Sequence, residues 1–242
     1  MLTLLTFPPS ADDLSPSPFC NKAMLLLQMS GLPWQRADLP APFRMPYGRL
    51  PVLKTDDRLI PDSSQIQAYL ETRGADFFAG LTAREIAHAR ALIRMIEDSL
   101  RYGLVHDRWL DPDCWPHIRQ ELLGAMPLPM RLVVPGLVRR KLRRTLRLQG
   151  TGQFSPADRL ERLRSDLSAL RETLGDRAFL FGDRPTAADA TAVPMLRMLR
   201  DLPAETALRR AVRQHSALMA YVERGTRAMY PGYVSDGLNA AA

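Results

Sequence analysis

The first eighty or so residues alternate short apolar runs with segments of helical periodicity. Leu2–Phe7 is an apolar run that stops at a Pro-Pro pair, which is typical of a short buried strand. A helix is then predicted from Ser17 to about Met29, because Ser is a favoured N-cap and Pro18 suits the first helical turn. Gly31 follows directly and is expected to end this helix.

The pattern then predicts three more strands and a second helix. Trp34–Ala37 is a weak strand, while Pro51–Leu53 and Arg58–Ile60 flank an Asp-Asp turn and predict a hairpin. Asp62–Arg73 has the apolar spacing of a helix and is followed by glycine. The predicted order is therefore β-α-β, a proline-rich stretch at Pro40–Arg49, and β-β-α.

From Leu81 onward the apolar positions recur only at helical spacings. Capping sequences at Thr82–Glu85, Ser155–Asp158 and Thr186–Asp189 each predict the start of a helix. The change of periodicity predicts two domains, a mixed α/β domain at residues 1–78 and an all-helical domain at residues 79–242.

The composition is that of a globular protein, with 46% hydrophobic and 24% charged residues in 242. Neither a signal peptide nor a membrane-spanning apolar run is recognisable, so we expect a cytoplasmic protein with no transmembrane segment. The two cysteines and four histidines lack the spacing of zinc ligands or of a disulfide framework. No metal site is expected.

The net charge of +7 is concentrated in one segment. Leu122–Ala157 contains no acidic residue and seven cations, namely Arg131, Arg139, Arg140, Lys141, Arg143, Arg144 and Arg147. Val138, Leu142 and Leu146 share one helical face among these cations. This basic segment, 131–147, is interpreted as a solvated helix, a membrane-surface helix or a face for an anionic ligand. Nucleic-acid binding is not expected, because no supporting motif is present.

Four segments together resemble the glutathione transferase family over nearly the whole chain. They are Ser17-Pro-Phe-Cys20, Arg49-Leu-Pro-Val-Leu53, Ile60-Pro-Asp-Ser-Ser-Gln-Ile66 with the following Tyr69-Leu-Glu71, and Phe179–Asp189. Arg108–Pro112 and Val138–Thr145 are similar to the branch that includes the failed-axon-connections protein and the metaxins. The resemblance implies an α/β thioredoxin-like N-terminal domain, an all-α C-terminal domain and a homodimer.

The resemblance implies that the first helix begins at the site of thiol chemistry. Ser17 would donate a hydrogen bond to the glutathione sulfur, and with the helix dipole this would lower the thiol pKa. The alternative is that Ser17 only caps the helix. Cys20 would be either a monothiol nucleophile or a buried, inert cysteine. A dithiol cycle is excluded, because serine replaces the first cysteine of a Cys-x-x-Cys motif.

The resemblance also implies the remaining glutathione contacts. Pro51 would be a cis-proline, with Leu50 presenting its backbone to the peptide, and Asp62 and Ser63 would bind the γ-glutamyl group. The alternative for these last two residues is a plain helix cap. Since Pro40–Arg49 replaces the helix that often binds the glycyl carboxylate, Arg49 or Arg44 would take that role.

Two functions follow from this resemblance. The first is an enzyme that uses glutathione as co-substrate and activates its thiol for attack on a small electrophile, or for reduction of a peroxide or mixed disulfide. The second is a non-catalytic, metaxin-like interaction protein whose basic helical face binds an acidic partner or an anionic membrane.

Overall fold

The structure is a computed structural model that describes residues 1–10, 13–124 and 128–230. It divides into two compact units. The first comprises Met1–Arg90, Arg177–Pro194 and the chain from Glu223 on, and the second comprises Ala91–Asp176 and Met195–Val222. The first unit is discontinuous in sequence, and the predicted boundary near residue 78 stays a prediction.

The first unit contains a four-stranded mixed sheet. Its strands are β1 (Leu2–Thr6), β2 (Trp34–Asp38), β3 (Val52–Lys54) and β4 (Leu59–Pro61), in the spatial order β2-β1-β3-β4. β1 pairs in parallel with β2 and antiparallel with β3, and β3 pairs antiparallel with β4. The predicted strands and the predicted hairpin are confirmed, with boundaries shifted by one residue.

The register brings three chain segments to one end of this sheet. Leu5 of β1 lies opposite Val52 of β3, and Val52 lies opposite Pro61 of β4. Because β3 is antiparallel to both neighbours, its start lies beside the ends of β1 and β4. The residues that follow β1, precede β3 and follow β4 therefore meet at this end.

Two helices of the first unit begin at the same end. These are α1 (Pro18–Met29), which contacts β1, and α2 (Ser63–Thr72), which contacts β3 and β4. The two helices also pack against each other. Their inner faces supply fully buried residues, including Leu26, Leu27, Ile66 and Leu70. The predicted β-α-β, β-β-α order is confirmed.

All regular elements described after residue 81 are helical, as the periodicity predicts. They are α3 (Ala83–Met95), α4 (Arg101–Leu110), α5 (Trp115–Leu123), α6 (Leu128–Gln149), α7 (Pro156–Leu174), α8 (Ala187–Arg200), α9 (Ala207–Gln214) and α10 (Ser216–Met229). A π-helical turn at Ile96–Leu100 joins α3 to α4, and a short 3-10 turn at Thr151–Gln153 follows α6. None of the helices in the described ranges is long and apolar enough to cross a membrane.

The predicted capping sequences begin helices as expected. At α3, Thr82 N donates to Glu85 Oε2 at 2.8 Å, and Glu85 N donates to Thr82 Oγ1 at 3.3 Å. At α8, the buried Asp189 carboxylate accepts hydrogen bonds from Thr186 N, Thr186 Oγ1 and Leu180 N, each at 2.8 or 2.9 Å. Both arrangements satisfy N–H groups that a helix start leaves without helical partners.

Candidate functional site

The candidate site lies at the end of the sheet where α1 and α2 begin. The Cys20 thiol, in the first turn of α1, lies within hydrogen-bonding reach of the Thr6 side chain and the Phe7 backbone at the end of β1. Helix α2 begins directly after β4, at Ser63. The N-termini of two helices, with the positive ends of their dipoles, are therefore held at one end of the sheet.

Ser17 is the N-cap of α1, in the extended conformation that N-cap residues adopt. Its Oγ accepts a hydrogen bond from Cys20 N at 3.4 Å, and its own N–H donates to Ser15 Oγ at 3.4 Å. The capping alternative for Ser17 is therefore realised. A hydroxyl has one donor and two acceptor sites, so the Ser17 oxygen can accept this bond while its proton faces the Cys20 thiol.

Cys20 is fully buried. Burial raises the pKa of its thiol, although hydrogen bonds from Thr6, the Phe7 backbone, Ser17 and Ser15 act in the opposite direction. A buried thiol with a raised pKa stays protonated at neutral pH and is not exposed to a substrate. Of the two roles considered for Cys20, this geometry favours the buried, inert one.

Asn21 is a buried polar residue that the sequence interpretation missed. Its Nδ2 donates to the Ser15 carbonyl at 3.2 Å, whereas its Oδ1 is buried without a hydrogen-bond partner among the described residues. Asn21 fixes the loop that precedes Ser17. Asn21 and Lys22 are polar residues within the buried stretch 20–27, and a polar pair directly before the apolar run 23–27 is the sequence signal that would have identified Asn21.

The Leu50–Pro51 peptide bond is cis, as the resemblance implied. Asp62 N donates to the Pro51 carbonyl at 3.1 Å, which ties the start of α2 to the segment before β3. Neither backbone group of Leu50 hydrogen-bonds to any residue that the structure describes. Leu50 thus offers one N–H and one C=O at the end of the sheet to an extended ligand.

Asp62 is the N-cap of α2 and has a φ of 71°, a conformation uncommon for residues other than glycine. Its Oδ1 accepts a hydrogen bond from Ser64 N at 2.9 Å. The capping alternative is therefore realised here too. An unusual backbone conformation held by surrounding structure is frequent at ligand sites, which makes Asp62 a candidate on geometric grounds as well.

Ser63, the first residue of α2, is buried, and its Oγ has no hydrogen-bond partner within the described part of the chain. Buried hydroxyl groups are nearly always hydrogen-bonded in folded proteins. An unpartnered hydroxyl at a helix N-terminus, where the dipole favours negative charge, is suited to an anionic group such as a carboxylate.

The Pro40–Arg49 stretch contains no α-helix. It holds a short 3-10 turn at Pro46–Gly48, in which Tyr47 has a φ of 58°. Arg49 is exposed, and its guanidinium carbon lies 5.5 Å from the centre of the Tyr47 ring. Arg44 is exposed as well. Of the two candidates for the glycyl carboxylate, Arg49 directly precedes Leu50 and so lies nearer in sequence to the site.

Solved structures similar to this chain define the class of fold. A glutathione S-transferase from Methylobacterium radiotolerans, in complex with glutathione sulfonate, has a TM-score of 0.60 at 20% identity, covering 93% of this chain and 90% of that one. The β-etherase LigF of Sphingobium sp. strain SYK-6 has a TM-score of 0.61 at 18% identity, covering 93% and 95%. The protein has the glutathione transferase fold.

Matches to models of known domain families show which family the chain belongs to. The model of the glutathione S-transferase N-terminal domain matches residues 18–114, and that of the glutathione S-transferase C-terminal domain matches residues 163–225. Together they match about two thirds of the chain. The chain belongs to the glutathione S-transferase family, and the recognition made from its motifs is confirmed.

Its relatives include both kinds of protein that the motifs resemble. The isoprene-epoxide–glutathione S-transferase of Rhodococcus sp. (strain AD45) is 29% identical over 231 residues, 93% of this chain and 97% of the relative. Human Metaxin-1 is 31% identical over 183 residues, and the Drosophila melanogaster Failed axon connections protein is 29% identical over 202. These matches cover 71% and 79% of this chain, but only 39% and 48% of the relatives.

Proposed function

We propose that this protein is an enzyme that binds glutathione as co-substrate and activates its thiol at Ser17. The thiol would attack a small electrophile, or two glutathiones would reduce a peroxide to an alcohol and water as they form glutathione disulfide, or one glutathione would reduce a mixed glutathione disulfide with the same disulfide as product. The observation that carries the proposal is the buried, unpartnered hydroxyl of Ser63 at the start of α2, next to the strained backbone of Asp62. A full-length relative named as an isoprene-epoxide–glutathione S-transferase supports an electrophilic carbon as the target.

The γ-glutamyl end of glutathione carries an ammonium and a carboxylate. The Asp62 carboxylate would pair with the ammonium, since only its Oδ1 is engaged with Ser64 N. The Ser63 hydroxyl would donate to the carboxylate, which the positive end of the α2 dipole also favours. Binding would satisfy the buried Ser63 hydroxyl, so the site loses an unfavourable feature when it is filled.

The proposed contacts of the cysteinyl and glycyl parts of glutathione follow from the register of the sheet. The free N–H and C=O of Leu50, beside Pro51, would pair with the cysteinyl backbone in the manner of an added strand. Arg49 would provide the cation for the glycyl carboxylate. The thiol then approaches Ser17, whose hydroxyl would turn its proton from the Cys20 thiol to the glutathione sulfur while still accepting from Cys20 N.

Ser17 would act on the thiol by stabilising its charged form. A hydrogen bond donated to the sulfur and the dipole of α1 both favour the thiolate, whose unperturbed pKa is about 8.5. The thiol proton leaves to solvent, the thiolate attacks the electrophilic carbon, and a C–S bond forms as the bond to the leaving oxygen or halide breaks. Positioning and charge stabilisation suffice for this step.

The experiment is a calorimetric titration of reduced glutathione into the wild-type protein and into Ser63→Ala, with Ser168→Ala as the control. Ser168 is an exposed serine on α7. We expect saturable binding that weakens about tenfold or more in Ser63→Ala, because a hydrogen bond to a charged group is lost. Equal affinities in all three proteins, or no binding at about millimolar glutathione, would show that the site does not bind glutathione.

The proposal includes two further properties, the first implied by the family resemblance and the second expected from the sequence alone. They are a homodimer and a location in the cytoplasm. Sedimentation velocity at several protein concentrations tests the first, and fractionation of the producing cells tests the second. A monomer at every concentration would remove the dimer from the proposal and leave the glutathione chemistry in place, since each site residue named above comes from one chain.

A further inference from the structure

We propose that the outer face of helix α6 docks the protein on an anionic lipid bilayer surface. This inference goes beyond the glutathione chemistry and does not depend on it. It rests on two properties of the same helix face, a row of exposed apolar side chains and a continuing row of exposed cations.

The inner face of α6 is fixed to the second unit. Pro135 and Leu146 are buried on this face. Arg139 Nε donates to the Trp109 carbonyl of α4 at 2.9 Å, and the Arg139 guanidinium lies 4.8 Å from the centre of the Trp115 ring in α5. These contacts set the rotation of the helix about its axis, so the opposite face stays turned to solvent.

The outer face carries large apolar side chains over the first half of the helix. Met130, Val133 and Leu137 are spaced by three and four residues, which places them in one row along a helix. Their exposed fractions are 45%, 58% and 60%, and Leu148 near the far end is 76% exposed. Isolated exposed apolar residues are ordinary, but a row of them on one helix marks an interaction surface.

Cations continue this row over the second half of the helix. Arg140, Lys141 and Arg144 follow Leu137 at helical spacing, and Arg143 and Arg147 lie on their flank. All five are exposed, and their side chains form no hydrogen bond or ion pair with a described residue. Helix α6 contains no acidic residue, so nothing on the helix itself offsets this charge.

The combination selects a bilayer over other occupants. A membrane surface offers anionic headgroups for the cations and an acyl boundary for the apolar row, which a basic amphipathic helix uses together. Nucleic acid would satisfy only the cations. A second copy that paired α6 with α6 would bring two uncompensated basic faces together, which is unfavourable. With about 33 Å of length, α6 can lie along the surface.

The test uses the full chain and co-sedimentation with phosphatidylcholine vesicles, with or without about one third phosphatidylglycerol. Val133→Ser/Leu137→Ser removes apolar area, and Arg140→Gln/Arg144→Gln removes charge. Arg84→Gln/Arg164→Gln removes the same charge from exposed positions on α3 and α7 and is the matched control. Circular dichroism confirms that each variant is folded.

We expect the wild type to bind only the anionic vesicles and to be released as salt is raised. Both α6 variants should bind about tenfold or more weakly, while the control binds within about twofold of wild type. No association with anionic vesicles at low salt would overturn the proposal. So would wild-type binding by Val133→Ser/Leu137→Ser, or tighter binding to a short duplex DNA than to the vesicles.

Discussion

The N–H of Asp62 donates to the carbonyl oxygen of Pro51 at 3.1 Å. This bond continues the β3–β4 ladder, in which Val52 lies opposite Pro61, by one step beyond the end of the sheet. It therefore fixes the start of α2 relative to Leu50 through the sheet rather than through a loop. Binding groups that are held by a sheet and by a helix terminus are positioned more precisely than groups on loops.

Ser17→Ala should separate the capping role of Ser17 from its proposed role in thiol activation. Ser17 and Ser155 are both N-cap serines followed by proline, at α1 and α7 respectively. Replacing either by alanine should lower the free energy of unfolding by about 0.5–2 kcal/mol, measured by urea denaturation. Only Ser17→Ala should raise the pKa of bound glutathione, measured from the ultraviolet absorbance of the thiolate as a function of pH.

Ser155→Ala serves as the control for the stability effect, since it loses a cap far from the site in sequence. If both variants bind glutathione with the wild-type thiol pKa, Ser17 is only a helix cap. If Ser17→Ala loses stability and its bound thiol titrates higher, both roles coexist in one hydroxyl, as its donor and acceptor sites allow.

Both cysteines should be unreactive in the folded protein. Cys20 and Cys114 are fully buried; burial raises the pKa of Cys20, and burial together with Asp111, Asp107 and Asp113 raises that of Cys114 to about 11. At neutral pH neither is a thiolate, so a chromogenic disulfide reagent should label both only after unfolding. Rapid labelling of Cys20 in native Cys114→Ser, with loss of glutathione-dependent turnover, would instead assign it the nucleophile role.

The positions of the main site residues could be predicted from the sequence because local rules govern them. A serine before proline at a helix start specifies the Ser17 cap, and the residues after the β4 strand specify the Asp62 cap. Their partners could not be predicted, because burial and pairing depend on long-range packing. The unpartnered oxygens of Ser63 and Asn21 are properties of the assembled sheet end.

Helix α6 also could be predicted only in part from local sequence rules. The sequence identified the inner stripe of Val138, Leu142 and Leu146, together with the surrounding cations. It did not show that the helix begins at Leu128 and continues through Pro135, because proline is usually unfavourable in the interior of a helix. The exposed apolar row precedes the segment in which the periodicity is recognisable, so only the structure joins it to the cations.

Asp166→Asn should stabilise the protein more at neutral than at acidic pH. Burial raises the pKa of Asp166 in α7, although the hydrogen bond from Ser99 and the charge of Arg162 act to lower it. The folded state therefore binds this proton more tightly than the unfolded state, whose pKa is about 3.9. The wild type therefore loses stability as the pH rises from about 3 through the pKa of Asp166 in the folded state. The Asp166→Asn variant does not, because asparagine cannot ionise.

The measurement for Asp166 is the difference in unfolding free energy between variant and wild type, by urea denaturation from about pH 3 to about pH 7. That difference should grow in favour of asparagine as the pH rises. Asp183→Asn, an exposed carboxylate in the first unit, controls for the general loss of one negative charge. A difference that shrinks with rising pH would mean that the charged form of Asp166 stabilises the fold.

Replacing each of two helical glycines by alanine should change the free energy of unfolding in opposite directions. A Cβ added at Gly225 in α10 would lie 2.5 Å from Cγ2 of Val193 in α8, and valine in a helix has little rotamer freedom with which to move away. Gly225→Ala should therefore cost about 1–3 kcal/mol of unfolding free energy. At Gly136 in α6 an added Cβ meets nothing within 4 Å, so alanine should gain up to about 1 kcal/mol from helix propensity. Thermal unfolding of the two variants beside wild type tests the pair, and equal shifts of the same sign would mean that close packing at Gly225 does not determine the result.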